Sequence, residues 1–365
     1  MRTLSILGLS LAALVATTPS SASFAGSPGR LAYFYAAEIW SLGADGANAR
    51  TLGPGLSPAW SPNGRLIAFD NAVNNNYDVW VMRPDGTARR RVTRNPAPDY
   101  FAGWSPDGTR LVYTSDRGGE DLWSIRVDGT DERRLTTDPN PDWGAAWSPD
   151  GRSIAFAGNA HGNLEIEVID TGGGGRHALT TDPGRDYDPA WSPDGTKIAF
   201  TSERDGNANV YVMNADGTGV TKLTDDPFGD WRPAWSPDGT QIAFESDRDE
   251  SVFDRDVFVM NADGSDQRRL RTGNVNARDL DWQSVIDLAL TLRRSGRALV
   301  AEVRNLSPAP ALRVRLKVNR RTRSLGTLAP GAVRTVRIAA RSASALVSAW
   351  QIDPNPRDNA AVVSR

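Results

Sequence analysis

Four acid–aromatic pairs recur in this 365-residue sequence: Asp99-Tyr100, Asp142-Trp143, Asp186-Tyr187 and Asp230-Trp231. Each pair stands five and four residues ahead of a tryptophan, Trp104, Trp147, Trp191 or Trp235. Two carboxylates are enough for glycoside hydrolysis, so the acids alone admit a carbohydrate-active enzyme working at a central channel. An acid where a strand begins also caps a turn by accepting from nearby backbone N–H groups. A cap does not need the neighbouring aromatic, whereas aromatics on a common rim suit recognition of a protein partner. The two remaining repeat units read Gly55-Leu56 and Ala277-Arg278 at these positions. The arc is therefore open on one side, as a directional binding face would be. The expected partner-binding rim is Asp99, Tyr100, Asp142, Trp143, Asp186, Tyr187, Asp230, Trp231 and Arg278, with no catalytic residue assigned.

Other chemistries lack their residues. With no cysteine, disulfides, thiolate metal sites and a cysteine nucleophile are excluded, and two histidines, His161 and His177, cannot build a multi-histidine metal centre. A Gly-x-Ser-x-Gly nucleophile elbow does not occur, which argues against a serine hydrolase of the prolyl-oligopeptidase type. Calcium is a weak candidate: Asp205, Asn207 and Asn209, then Asp247, Asp249, Asp254 and Asp256, offer oxygens at alternating spacing, but no loop has the closing glutamate. No cofactor is expected.

The elements that position the rim are repeats. Trp-Ser-Pro-Asp/Asn-Gly occurs at Trp60, Trp104, Trp147, Trp191 and Trp235, spaced 44, 43, 44 and 44 residues apart, and a degenerate copy surrounds Trp282. A fixed period of this length marks a repeat architecture. The unit around Trp191 holds four short extended stretches, 189–192, 197–202, 209–214 and 221–224, separated by Ser-Pro-Asp-Gly and Asn-Ala-Asp-Gly turns. Ile198, Phe200, Tyr211 and Met213 alternate with smaller or polar residues at the period of a strand. Four-stranded units at this period are propeller blades. Three strand candidates precede Trp60 (31–35, 38–42 and 49–52) and one follows the fifth unit (279–284). Since an open ring would expose strand edges, the expectation is an all-β, six-bladed propeller over 30–284, its last blade closed by pairing 279–284 with 31–52.

The repeat, which reads PAWSPDGTKIAFTSERDGNANVYVMNADG from Pro189, resembles the propeller of TolB-type proteins. The resemblance covers 30–284 and implies a non-catalytic binding platform for a protein or cell-envelope component. The N-terminal α/β domain of TolB has no counterpart here, and a different module follows the propeller.

Both ends carry further signals. Arg2 followed by the apolar run 4–16 and small residues up to Ala22 or Ala25 reads as a signal peptide over 1–25. The expectation is therefore a monomeric protein that is secreted or resides in a periplasm or cell envelope, with no membrane-spanning segment after processing. Residues 285–365 contain 15 basic and 4 acidic residues, a net of +11, against −13 for the part before them. Leu312, Val314, Leu316 and Val318 alternate with Arg313, Arg315 and Lys317, the pattern of a half-buried strand. Strand candidates at 285–292, 298–304, 311–318, 332–339, 345–350 and 360–364 suggest a small immunoglobulin-like sandwich. The phrases DLALTL, VRNLSPAPA, LGTLAPGA and DPNPRDNAA resemble CARDB-like adhesion modules, which implies adhesion or spacing. The basic strand face is an alternative contact for an anionic envelope polymer. Nucleic acid is not expected, since basic stretches with interleaved aromatics do not occur.

Overall fold

Each Ser-Pro-Asp-Gly turn is locked by its own side chains. In the fourth blade Ser192 Oγ donates to Asp194 Oδ1 (2.7 Å), and that oxygen also accepts from Thr196 N (3.0 Å). Ser192 Oγ in turn accepts from Lys197 N (2.9 Å). Gly195 N donates to Ser192 O (2.9 Å) with Gly195 at φ +72°, a conformation that disfavours a Cβ. Ser105, Ser148 and Ser236 make the same bond to Asp107, Asp150 and Asp238. The repeated aspartates of these turns are structural.

The computed structural model describes residues 29–159, 162–248, 255–270 and 278–283, and beyond them 288–295, 298–305, 311–318, 321–328, 332–338, 343–348 and 360–363. The signal segment, His161, Asp249, Asp254 and residues 353–359 of the DPNPRDNAA phrase lie outside these residues, and Arg278 is described only as a strand position. Among the described residues there is no helix.

Six four-stranded antiparallel sheets form the propeller blades. The innermost strands of blades one to five are Leu56–Trp60, Asp99–Trp104, Asp142–Trp147, Asp186–Trp191 and Asp230–Trp235. The sixth blade joins Arg278–Trp282 to Arg30–Tyr35, Glu38–Gly43 and Arg50–Pro54, so the ring is closed by the two ends of the propeller. Leu31 pairs with Trp282 and Ala32 with Asp281.

In blade four, two strands differ in their limits from the sequence reading. The innermost strand of blade four begins at Asp186 rather than Pro189, because it continues across a bulge between Tyr187 and Ala190. Its outermost strand is Thr221–Lys222: Leu223 N donates to Val210 O (2.8 Å), and Val210 N donates to Thr224 Oγ1 (3.0 Å), which replaces the ladder with a side-chain staple.

Apolar residues fill the space between blades. Phe69, Tyr113, Phe156, Phe200 and Phe244, at equivalent positions of the second strands, are fully buried. The repeated tryptophan joins neighbouring sheets. Its indole Nε1 donates to a carbonyl of the preceding blade: Trp104 to Ala59 O (2.9 Å), Trp191 to Ala146 O (3.2 Å), Trp235 to Ala190 O (3.2 Å) and Trp282 to Ala234 O (3.1 Å). A buried indole usually finds such an acceptor, so these four tryptophans are structural.

Beyond the propeller, Leu288–Ser295, Ala298–Asn305 and Val333–Ile338 form one antiparallel sheet. Arg321–Leu328, Ala311–Val318, Ala343–Ser348 and Ala360–Val363 form another. Val303, Val314 and Leu316 are buried, whereas Arg304, Arg323, Arg334 and Arg337 are exposed. Arg321–Leu328 is a strand that sequence reasoning did not anticipate.

Candidate functional site: the strand-entry face and channel mouth

The four rim acids open the innermost strands, and all are fully buried. Asp142 is held by both terminal nitrogens of Arg176 (2.9 Å each), Asp186 by Arg204 (2.8 Å) and Asp230 by Arg248 (2.9 Å to each oxygen). Asp99 takes a hydrogen bond from Asn95 and lies 3.9 Å from Arg117. Burial raises all four carboxyls above the ordinary range, Asp142 to about 7 and Asp230 to about 6, against the opposing pull of hydrogen bonds and the paired arginines. Three of the arginines come from Ser-x-Arg segments, Ser115–Arg117, Ser202–Arg204 and Ser246–Arg248, at a constant distance from the tryptophan. The third blade has Gly158 at the serine position, and Arg176 from a different loop fills the space. A Cβ on Gly158 would come within 2.7 Å of Arg176 Nη2.

Above these acids the four aromatics are half-buried. Tyr187 donates to Glu203 (2.9 Å) and Tyr100 to Glu120, while Tyr100 meets Phe101 edge-on (centroids 5.2 Å apart). The Arg255 guanidinium lies 3.7 Å over the Trp231 ring. That ring closes on Gly229, where a Cβ would be 1.9 Å from it. Two exposed aromatics, Tyr77 and Phe228, stand on the same strand-entry side of the ring.

The axial channel has a volume of about 520 Å³ and is lined by the six innermost strands. Sequence reasoning missed the ring at its mouth. Three residues before each tryptophan, Ser57, Phe101, Gly144, Asp188, Arg232 and Asp279 all line the channel with φ between +45° and +64°. The five innermost strands of blades one to five each carry a register shift beside this residue. The shared conformation is a backbone property, so no residue type betrays it; the constant offset from tryptophan was the available signal. Arg232 Nη1 reaches Asp279 (2.7 Å) and Glu245 (3.5 Å), and its Nε stands 3.6 Å from Asp188. Arg255 also binds Glu245 (3.0 Å), and Asp279 N donates to Glu245 (2.6 Å).

Asp70 is buried behind this ring. It accepts from Phe101 N (3.1 Å) through Oδ2, while Oδ1 has no hydrogen-bond partner. Burial pushes its carboxyl up to about 8, although the bonds from Phe101 and Ser57 pull the other way. A carboxyl raised on folding favours the protonated native state. Its stabilising contribution is complete below the ordinary carboxylate range and disappears as pH rises through about 8. Urea unfolding at pH 5, 7 and 9 should therefore show stability falling with pH. Asp70→Asn should flatten that fall and exceed the parent at pH 9 by about 1–3 kcal/mol. Parallel pH curves for the two proteins would refute the assignment.

The first group of calcium candidates, Asp205, Asn207 and Asn209, does not converge, and Asp249 and Asp254 of the second lie outside the described residues. Asp205 binds Lys222 (3.2 Å) and Tyr211, whereas Asn207 turns to Asp226 O (3.3 Å) and Phe228 O. Among the described residues no three His, Cys, Asp or Glu side chains form a metal-holding group. No described helix is long and apolar enough to cross a membrane.

Comparison with known proteins agrees with this geometry. "Protein TolB homolog" of Chlorobium luteolum is 36% identical over 70 residues, 19% of this chain and 16% of that protein. "Dipeptidyl-peptidase 5" of Porphyromonas endodontalis is 32% identical over 83 residues, 22% of this chain and 12% of that protein. The aligned stretches thus span less than a fifth of either relative. Among solved structures, TolB from Acinetobacter baumannii superposes with a TM-score of 0.62 at 22% identity, covering 70% of this chain and 66% of that one. The putative TolB from Agrobacterium tumefaciens gives 0.56 at 25% identity, covering 71% of this chain and 100% of that one. The model of the TolB β-propeller domain matches 37–182 and 126–307, and with most of its length so matched the chain belongs to that family.

Proposed function

We propose that this protein is an exported, non-catalytic scaffold that recognises a protein or cell-envelope component through the strand-entry face of its propeller. The observation that carries the reading is the aromatic content of that face: Tyr100, Trp143, Tyr187 and Trp231 around the mouth, with exposed Tyr77 and Phe228 farther out. Aromatics of this kind anchor protein interfaces. The full burial of Asp99, Asp142, Asp186 and Asp230 below them favours a foundation role for these four acids over a catalytic one. The similarity to TolB proteins, including the "Tol-Pal system protein TolB" of Thioalkalivibrio sulfidiphilus (43% over 53 residues), supports an envelope-associated, extracytoplasmic role. In this reading residues 1–25 are the export signal, 30–284 the propeller, and 285–365 an immunoglobulin-like, CARDB-like spacer or adhesion module.

The test is capture from an envelope fraction, followed by binding of the purified partner. The comparison is between wild type and a variant with Tyr100, Trp143, Tyr187 and Trp231 replaced by Ala. The expected result is a partner bound at least 100-fold more weakly by the variant, with thermal unfolding still cooperative. Equal binding by both proteins would reject the face as the site.

A further inference from the structure

The ring at the channel mouth is divided by chemistry. Ser57, Phe101 and Gly144 form a small and apolar half, and Asp188, Arg232 and Asp279 a charged half. Gly144 lies at one boundary and contributes no side chain. Among the described residues, its two chain neighbours aside, the one atom within 4 Å of a Cβ built there is Asp188 Oδ1, at 3.8 Å. The result is a notch with Phe101 on one wall and a carboxylate on the other.

The carboxylate of Asp188 is incompletely matched. Arg232, its nearest cation, sits at 3.6 Å and is engaged more closely by Asp279 at 2.7 Å. No hydrogen bond to the Asp188 carboxylate occurs among the described residues. Burial raises its carboxyl above the ordinary range, although the charges of Arg232 and Arg255 pull the other way. In a channel walled by protein an added cation interacts with such a group more strongly than it would in open water. An anionic group would meet Asp188 and Asp279 instead.

We propose that the notch between Phe101, Gly144 and Asp188 receives a lysine or arginine side chain of the docked protein partner. The aliphatic stem lies against Phe101 and the cation reaches Asp188 Oδ1. This assignment rests on the entry face being the docking surface, and it names the class of side chain that surface selects. Amphipathic side chains suit such a site because stem and head group have different requirements.

The test uses the full chain with three blocked tripeptides, Ac-Ala-Lys-Ala-NH2, its norleucine analogue and its glutamate analogue. Binding is read from the tryptophan indole resonances. The lysine peptide is expected to bind at least tenfold more tightly than the other two, and less tightly at high salt. Asp188→Asn and Gly144→Asn should each weaken it at least tenfold. Asparagine tolerates the left-handed backbone at position 144, so the second variant fills the notch while remaining folded. Equal binding of the lysine and norleucine peptides, no binding of any peptide, or unchanged affinity in Asp188→Asn overturns the proposal. A diamine such as 1,4-diaminobutane that outcompetes the lysine peptide overturns the assignment to a protein side chain. The aromatic quadruple variant separates the two readings. Lysine-peptide binding that survives there while partner capture never occurs in wild type rejects the docking face alone.

Discussion

Arg232→Met is expected to lower the stability of the propeller by about 3 kcal/mol, because breaking a buried ion pair leaves its partners uncompensated. Arg232 stands among Asp188, Glu245 and Asp279, contributed by blades four, five and six. Glu245 is fully buried and Asp279 largely so, and the Coulomb attraction of these acids keeps the guanidinium firmly charged despite its own burial. Methionine preserves much of the side-chain volume, which isolates the loss of charge. Adding Asp279→Asn to Arg232→Met should restore part of the loss, since Asp279 loses its 2.7 Å partner whereas Glu245 keeps Arg255. Urea denaturation of the parent, both single variants and the double variant measures this coupling. Additive losses, or an Arg232→Met protein as stable as the parent, would show that the cluster is held by packing alone.

A larger loss is expected at the closure. Leu280→Ala combined with Trp282→Ala should cost on the order of 5 kcal/mol, since each removes a large buried side chain. Leu280 and Trp282 pack with Leu31, Tyr33 and Val259, which belong to the chain segments that meet only when the ring closes. The same change removes the indole bond from Trp282 to Ala234 O. Gln283 would remain, bonded to Arg30 N (3.1 Å) and Gly64 O (3.1 Å), too little to hold the sheet alone. Thermal unfolding of the full chain should shift downward by many degrees and lose cooperativity. An unchanged transition would mean that the sixth blade is held by contacts other than these.

The blade architecture was legible because it is written in residue types. Ser-Pro-Asp-Gly specifies a turn chemically, the tryptophan and the Ile-Ala-Phe run specify burial, and counting strands at the two ends leads to a mixed sixth blade. The acid–aromatic pairs were legible as a pattern, but their physical roles were not. The arginines that neutralise Asp186 and Asp230 lie 18 residues ahead in sequence, and Arg176 reaches Asp142 from 34 residues away. Such distances become contacts only after the blade folds. The channel ring was harder still. Serine, phenylalanine, glycine, aspartate and arginine share one backbone conformation there, so composition carries no trace of it. Arg321–Leu328 was missed because RTRSLGTL lacks a clean alternation of apolar and polar residues, and its pairing with Ala311–Val318 contains register shifts.

The indole-to-carbonyl bonds between blades also bear on how the ring responds to force. Every such bond points backward along the chain, so the links form a directed series of stiff springs around the axis. Among the repeated tryptophans, Trp60 and Trp147 have buried Nε1 atoms without an acceptor. At the first of these joints Asp281 substitutes by accepting from Trp60 N (2.5 Å). The joint between the second and third blades lacks an indole link, and it lies beside Gly144, where the channel wall is also thinnest in side chains. A partner wedged into the mouth would therefore meet an elastic boundary that yields more readily on the Gly144 side than on the Arg232 side.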